Sequence, residues 1–257
     1  MKILRVCPKF TKKIWHHLGL KADKRAEYLE ELWSQRRGKV AGNTGKYLDV
    51  GCGSGQNTIC FGKDFEEVYC LDLKPSNIEN CKRNFQLRSE DTANRAYFVM
   101  GDAQALPFKD QAFDMVSMFS LIEHVPDQCL AMREASRVLK DRGELILQIP
   151  NRYFFLELHT GLPFLYYIPS HRIRHWTLKK LGYEGLGSVM NIEPPSKNEQ
   201  ARLMNSLGFR EIHVSRIVYP PELILPPFRP IYWLLKSLRV FVFVPFGWLF
   251  TGVKVHR

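Results

Sequence analysis

The stretch LDVGCGSG, residues 48–55, decides the fold class of this chain. It opens as a buried strand and continues through glycines at positions 51, 53 and 55. Glycine permits the backbone conformations of a tight turn, and without a Cβ it lets a ligand approach the main chain. The stretch therefore predicts a strand that turns toward a helix beside a binding site.

Strand and helix patterns alternate on the carboxyl side of this turn. Such alternation predicts an α/β fold, with a parallel sheet covered by helices on both faces. The predicted strands are 47–52, 68–73, 96–102, 113–119, 144–151, 210–219 and 251–257. The predicted helices are 21–36, 56–65, 76–86, 126–140 and 198–209. Ala22, Ala26, Leu29 and Trp33 share the apolar face of the first helix. Residues 152–197 show no regular period.

Composition limits the classes of protein that this chain could be. Its 257 residues are 45% hydrophobic and 12% aromatic, which supports a buried core and excludes a mainly disordered chain. The net charge is +11, but residues 47–150 carry −5, whereas residues 1–46 carry +8 and residues 201–257 carry +6. The basic flanks, rather than the acidic centre, would meet an anionic partner.

Six cysteines lie at positions 7, 52, 60, 70, 81 and 129, and none forms a C-x-x-C pair. We expect neither a disulfide framework nor a metal site, and a reducing, cytoplasmic location. The apolar run at the N-terminus is too short and interrupted for a signal peptide.

Acidic residues end the strands that follow the glycine turn. Asp72 ends the second strand, where its carboxylate could accept both hydroxyls of a ribose. Asp102 ends the third strand in GDAQALPF, residues 101–108, and LIEHVPD, residues 121–127, follows the fourth. No Gly-Lys-Ser/Thr sequence follows the turn, which disfavours a triphosphate site. A dinucleotide site stays open, although Gln56 stands where its third glycine belongs, as does a turn with no ligand.

Residues 46–151 together resemble the class I S-adenosylmethionine-dependent methyltransferases, closest to the branch of quinone-biosynthesis and small-molecule enzymes. The resemblance implies a Rossmann-like, mostly parallel seven-stranded sheet with an antiparallel last strand. It also implies S-adenosyl-L-methionine as cofactor and S-adenosyl-L-homocysteine as product. By this resemblance, Asp49 and Gly51 would lie by the methionine end of the cofactor, and Asp72 would hold its ribose. Asp102 and Ala103 would contact the adenine, and Phe119 and Ser120 would close over the sulfonium. The implied cofactor site is completed by Cys52, Gly53 and Leu73.

Three histidines are candidates for catalysis, because an oxygen acceptor of high pKa needs a proton removed. His124 follows the fourth strand, with Glu123 beside it as a weaker candidate. His159 and His171 lie in the aromatic-rich region that follows the fifth strand, where related enzymes build an acceptor lid. Each histidine could instead be a hydrogen-bonded structural residue.

We divide the chain into an N-terminal helical flank, residues 1–45, and a cofactor-binding domain, residues 46–257. The domain contains an acceptor-lid insert at 152–197 and an apolar insert at 220–250. The apolar run 231–250 has the length of a bilayer span, but Lys236, Arg239 and Pro245 interrupt it. It would pack on the domain, form an oligomer interface or lie on an anionic membrane surface.

The leading functional hypothesis is methyl transfer to a small, lipid-like or lipid-linked acceptor, with a peripheral membrane location left open. Oxygen is the favoured target atom, and carbon is the alternative. An RNA methyltransferase is a second hypothesis because of the basic charge, although MFSLIEHV lacks the Asn/Asp-Pro-Pro-aromatic sequence that grips a base nitrogen. A non-catalytic cofactor-binding scaffold is the third.

Overall fold

A seven-stranded sheet organises the chain in a computed structural model, which describes residues 21–37, 45–88, 90–154, 167–168, 170–180, 194–224, 229–240 and 244–255. The strand order is β3-β2-β1-β4-β5-β7-β6. The strands are β1 Lys46–Val50, β2 Glu67–Asp72, β3 Ala96–Met100, β4 Phe113–Phe119, β5 Leu139–Pro150, β6 Phe209–Ile217 and β7 Gly247–Lys254.

Strand β7 is the one that runs against its neighbours, because it pairs antiparallel with both β5 and β6. The pairs among β1 to β5 are all parallel. Six strands therefore end at one edge of the sheet, and β7 begins there. This arrangement confirms the predicted α/β fold with its antiparallel last strand.

Helices cover both faces of the sheet. Ala131, Ala135 and Met204 belong to the core on one face, and Trp33, Phe61 and Phe85 belong to the core on the other. The α-helices in the described residues are α1 Ala22–Arg37, α2 Gln56–Phe61, α3 Pro75–Arg88, α4 Glu90–Ala93, α5 Gln128–Val138, α6 His171–Lys180, α7 Lys197–Ser206 and α8 Arg229–Ser237.

Helix α1 packs on the sheet through the face that its sequence predicts. Ala26, Leu29 and Trp33 are buried in the same cluster as Phe61. The Trp33 indole N–H donates a hydrogen bond of 2.9 Å to the Glu144 carboxylate on β5. The flank helix thus shares a core with the rest of the domain.

Strand β5 begins five residues before the predicted start at position 144. Leu139 already pairs with Phe113, and the register shifts between Phe113 and Met115. The preceding helix consequently ends at Val138 rather than at position 140. Pairing across the sheet decides this boundary, and the local pattern carries no sign of it.

Two elements differ from the sequence expectations on the carboxyl side of β5. Residues 171–180 form helix α6, which lies in a region where the sequence shows no helical period. The period is missing because Arg174 and Leu178 are the buried residues of this helix, whereas the apolar Ile173 and Trp176 are exposed. Strand β7 begins at Gly247, four residues earlier than predicted, since Gly247 already pairs with Pro150 and Ile217. The end of the apolar run 231–250 is therefore sheet.

None of the described helices has the length and apolar character needed to cross a membrane.

Candidate cofactor and acceptor site

The glycine-rich turn joins β1 to α2 and is tied to the neighbouring strand. The N–H groups of Gly51 and Cys52 both donate to the carbonyl oxygen of Leu71, at 2.7 and 3.0 Å. Gly51, Gly53 and Gly55 have φ angles of +76°, +54° and +84°. These left-handed conformations favour glycine, so the spacing of the three glycines follows from the shape of the turn.

The space around the three glycines differs, and the difference locates a cradle. A Cβ at Gly51 would lie 2.7 Å from Leu121 Cδ1, and one at Gly55 would lie 2.6 Å from Cys81 Sγ. A Cβ at Gly53 would meet no atom within 4 Å. Gly51 and Gly55 therefore serve close packing, whereas Gly53 borders open space that a bound cofactor could fill.

The Asp72 carboxylate links the end of β2 to the turn. Its Oδ2 accepts the Gly53 N–H at 3.0 Å, and its Oδ1 accepts the Lys74 N–H at 2.9 Å and the Asn77 side-chain amide at 3.1 Å. An ionised carboxylate offers about four lone-pair positions. Three of them are used, so the geometry leaves about one acceptor position for a ligand hydroxyl.

Asp102 sits in the loop that leaves β3, next to the end of β2. The Gly101 N–H donates to the Asp72 carbonyl oxygen at 3.1 Å, and Asp102 Oδ1 accepts the Gln104 N–H at 2.9 Å. The Gln104 side chain in turn accepts the Asp127 N–H at 2.8 Å, which ties this loop to the start of α5. Ala103 is buried beside Asp102. Leu73, by contrast, is exposed just after β2.

Asp49 is a buried acid beneath the turn. Its two oxygens accept the hydroxyl groups of Thr58 at 2.5 Å and Ser117 at 2.6 Å. Burial raises the pKa of Asp49 to about 7, and the hydrogen bonds from Ser117 and Thr58 oppose that rise. The carboxylate joins β1, α2 and β4, so it holds the framework on which the turn stands.

Ser120 redirects the chain where β4 ends. It has a φ of +48°, which is uncommon for a residue with a side chain and is typically held by surrounding structure. Its hydroxyl donates to the Gln148 side chain at 2.6 Å, and its N–H donates to the Gln148 carbonyl oxygen at 3.1 Å. Phe119 is buried against Phe61, and Leu121 lies over Gly51. The structure thus brings the end of β4 to the glycine turn.

The three candidate histidines fall in different places. His124 is exposed at the end of a short 3-10 turn, Ile122–His124, that directly follows the Ser120 loop; Glu123 in the same turn is buried. His171 begins α6, and only its backbone is described. His159 lies outside the described residues. Among the three, the described structure brings His124 to the end of β4.

Cys52 follows Gly51 in the turn, and its thiol is surrounded by other thiols. Hydrogen bonding with Cys70 and Cys81, together with burial, raises the pKa of Cys52, and burial raises that of Cys70. The five cysteines in the described residues are free. Cys52 and Cys70 are therefore protonated thiols that pack beneath the turn.

An open cleft of about 200 Å³ lies where β5 ends, β7 begins and α7 begins. Two cations border it, each over an aromatic ring. The Arg152 guanidinium lies 5.1 Å from the Tyr153 ring centroid, and Lys197 Nζ lies 5.2 Å from that of Trp248. The cleft opens on the same edge of the sheet as the glycine turn, because β1 and β5 are parallel strands of one sheet.

Three residues that the sequence analysis does not single out complete the site: Asn77, Gln104 and Gln148. Each uses a side-chain amide to hold a carboxylate, hydroxyl or backbone group of the site. Asn77 is signalled weakly, since it stands five residues after Asp72 in the first turn of α3. Gln104 and Gln148 have no recognisable local signal.

The sheet order, the glycine turn on β1 and the acids that end β2 and β3 define a class I S-adenosylmethionine-dependent methyltransferase. Comparison with known proteins agrees. Residues 48–147 match the family model described as "Methyltransferase domain". A demethylmenaquinone methyltransferase of Staphylococcus aureus is 31% identical over 195 residues, which are 72% of this chain and 76% of that protein.

Solved structures show the same fold at lower identity. A methyltransferase from Thermotoga maritima, described as a possible histamine N-methyltransferase, is 20% identical with a TM-score of 0.58, covering 94% of this chain and 99% of that one. A Haemonchus contortus phosphoethanolamine N-methyltransferase in complex with S-adenosylhomocysteine is 15% identical with a TM-score of 0.56, covering 88% of this chain and 53% of that one. The present chain belongs to the class I S-adenosylmethionine-dependent methyltransferases. It is an enzyme whose cofactor is S-adenosyl-L-methionine, as the sequence predicts.

Proposed function

We propose that this enzyme methylates a small lipid-like acceptor with a quinone-like ring, at a peripheral membrane location. One observation carries the acceptor side: the glycine turn and the aromatic-bordered cleft open on the same edge of the sheet. The similarity to a demethylmenaquinone methyltransferase supports a quinone-like ring as the acceptor. Oxygen is the favoured target atom, and carbon is the alternative.

The cofactor fits the residues that surround the turn. Gly53 borders open space, so the main chain can approach the amino-acid end of the cofactor. The remaining acceptor position on Asp72 suits a ribose hydroxyl, and the second hydroxyl would take the position now held by Asn77. Asp102 and Ala103, one strand further along the sheet, would contact adenine. Phe119 and Ser120 would face the sulfonium.

When bound, the cofactor would supply an electrophilic methyl group, which the acceptor would attack in line while the carbon–sulfur bond breaks and S-adenosylhomocysteine leaves. The protein would hold the acceptor at that methyl group, exclude water and remove a proton where the acceptor needs it. His124 would take the proton, since its turn directly follows Ser120. His159 and His171 remain alternative acceptor-site residues.

Product analysis tests this function. The purified enzyme would be incubated with methyl-labelled cofactor and separate acceptors: a short-chain hydroquinone, a lipid extract and total RNA. We expect S-adenosylhomocysteine release and a labelled hydroquinone product, whose target atom nuclear magnetic resonance would identify. Transfer to RNA alone, or cofactor binding without any methylated product, would contradict the proposal.

A further inference from the structure

Helix α8 carries an apolar surface that faces solvent. Ile231, Trp233, Leu234 and Leu238, just past its end, are each more than half exposed, at 54%, 53%, 57% and 64%. The opposite side holds the helix on the domain, because Tyr232 is buried and its hydroxyl donates to the Tyr219 carbonyl oxygen at 2.8 Å. The exposed side chains therefore form a surface on an anchored element.

The charges on this segment are all of one sign. Residues 229–240 contain Arg229, Lys236 and Arg239 and no acidic residue. Lys236 Nζ lies 5.1 Å from the Trp233 ring centroid, so the cation stands directly beside the apolar surface. Exposed apolar side chains with cations at their margin suit the headgroup region of an anionic bilayer, where long cationic side chains reach the phosphates.

Helix α6 repeats the pattern independently. Ile173 and Trp176 are 53% and 61% exposed, and Lys180 Nζ lies 5.9 Å from the Trp176 ring centroid. Residues 170–180 contain four Lys or Arg residues and no acidic residue. The helix is held on its other side by Leu178 and by Arg174, which donates to the Ile168 carbonyl oxygen at 2.7 Å.

Both helices lie in connections that leave the sheet at the edge of the cofactor turn, and the connection that carries α8 also rejoins the sheet there. Helix α8 connects the carboxyl end of β6 to the start of β7. Helix α6 follows the carboxyl end of β5, and its connection ends at α7, where Lys197 lies over Trp248 at the start of β7. The sheet topology thus places α8 at the edge where the acceptor would enter. Helix α6 is tied to the same edge by the residues just before it, since the Tyr167 hydroxyl donates to the Tyr153 carbonyl oxygen at 2.7 Å.

We propose that α6 and α8 together form a docking surface for an anionic lipid bilayer, with the mouth of the site toward the membrane. This inference rests on the proposed function, because the bilayer would be the source of a lipid-like acceptor. The two helices are the surface that would contact the bilayer, and membrane binding through them can be measured separately from methyl transfer. The enzyme would bind without crossing the membrane, as an interfacial protein.

Vesicle flotation of the full-length enzyme tests the surface. The vesicles are phosphatidylcholine with or without phosphatidylglycerol, and the variants are Trp233→Ala/Leu234→Ala on α8 and Ile173→Ala/Trp176→Ala on α6. The control is Leu87→Ala/Leu130→Ala, which removes exposed apolar side chains from α3 and α5. Calorimetry with S-adenosylhomocysteine and turnover of a water-soluble acceptor report the fold and the chemistry of every variant.

We expect the wild type and the control to bind phosphatidylglycerol vesicles, with weaker binding at high salt and to neutral vesicles. Each helix variant should lose at least tenfold in vesicle affinity while keeping cofactor affinity and turnover of the soluble acceptor. Removing one cation, as in Lys236→Gln, should cost roughly fivefold. Unchanged vesicle binding in either helix variant would overturn the two-helix surface. The proposal would also be overturned if the wild type bound no vesicles and instead formed a dimer that the α8 variant dissociates. Turnover of the soluble acceptor would persist in these cases, so the proposed methyl transfer is tested separately from the membrane location.

Discussion

Replacing Asp72 by Asn tests whether this carboxylate holds the ribose. The side chain is buried and already accepts three hydrogen bonds, from Gly53, Lys74 and Asn77. A hydrogen bond to an ionised acceptor contributes about 1.5–3 kcal/mol, against about 0.5–1.5 kcal/mol for a neutral one. The exchange would therefore weaken each ribose contact by about 1–1.5 kcal/mol.

The total effect on the cofactor follows from two hydroxyl groups. The two weakened contacts together amount to about 2–3 kcal/mol, or roughly thirtyfold to a hundredfold in the dissociation constant. Asparagine also replaces one carboxylate oxygen, an acceptor, by an NH2 group, which is a donor. The variant therefore loses one hydrogen bond to residue 72, and we take this to be the bond from the Gly53 N–H. We expect the free energy of unfolding to fall by about 1–3 kcal/mol as well.

Calorimetry with S-adenosylhomocysteine and thermal unfolding measure the two effects separately. Glu79→Gln, an exposed acid-to-amide change on α3, is the matched control and should leave both quantities unchanged. Asn77→Ala keeps the Asp72 charge and frees an acceptor position, so it should change affinity less than about threefold. An Asp72→Asn variant that bound as tightly as the Asn77→Ala variant would refute the ribose contact.

Three further predictions concern the turn, the buried acid and the candidate base. Gly53→Ala should lower the free energy of unfolding by about 1–2 kcal/mol, because the φ of Gly53 is +54°. It should weaken S-adenosylhomocysteine binding far more, since the new Cβ enters the open space beside the turn. An equal loss of free energy in both assays would mean that no cofactor lies in that space. The pKa of Asp49 is raised to about 7 in the folded protein, so its stabilising contribution is complete below pH 4 and is lost as the pH rises toward 7. Between pH 4 and pH 7 the free energy of unfolding of the wild type should fall by on the order of 4 kcal/mol relative to that of Asp49→Asn. The same pH dependence of the free energy of unfolding in both proteins would argue against a raised pKa of Asp49. His124→Gln should lower kcat by about a hundredfold and remove the rising limb of its pH profile, whereas His213→Gln on β6 should change neither; a profile that kept its limb would exclude His124 as the base.

The order and type of the central elements could be predicted from local patterns. Strand β4 has the predicted bounds, 113–119, because a short apolar run between turn residues is a complete local signal. Helix α6 gave no such signal, since Arg174 is buried there while Trp176 is exposed. A residue pattern predicts a helix only when its apolar face is the buried one.

The cofactor site divides in the same way. Its glycines and acids stand at strand ends, so their positions along the chain already place them at one edge of a parallel sheet. Gln104 and Gln148 approach from other loops and strands, and their roles come from hydrogen bonds to Asp127 and Ser120. Contacts of this kind depend on which segments meet in space.

The amino-acid sequence alone indicated the class of enzyme through its resemblance to known methyltransferases, because the glycine-rich turn and the carboxylates at successive strand ends that carry the resemblance are local features. Tertiary structure alone decided that one oxygen of Asp72 binds the Gly53 N–H of the turn and that Asp49 is buried under the turn. It also decided that the apolar side chains of α6 and α8 face outward. Burial, charge pairing and exposure are properties of the packed chain, so no stretch of residues carries them by itself.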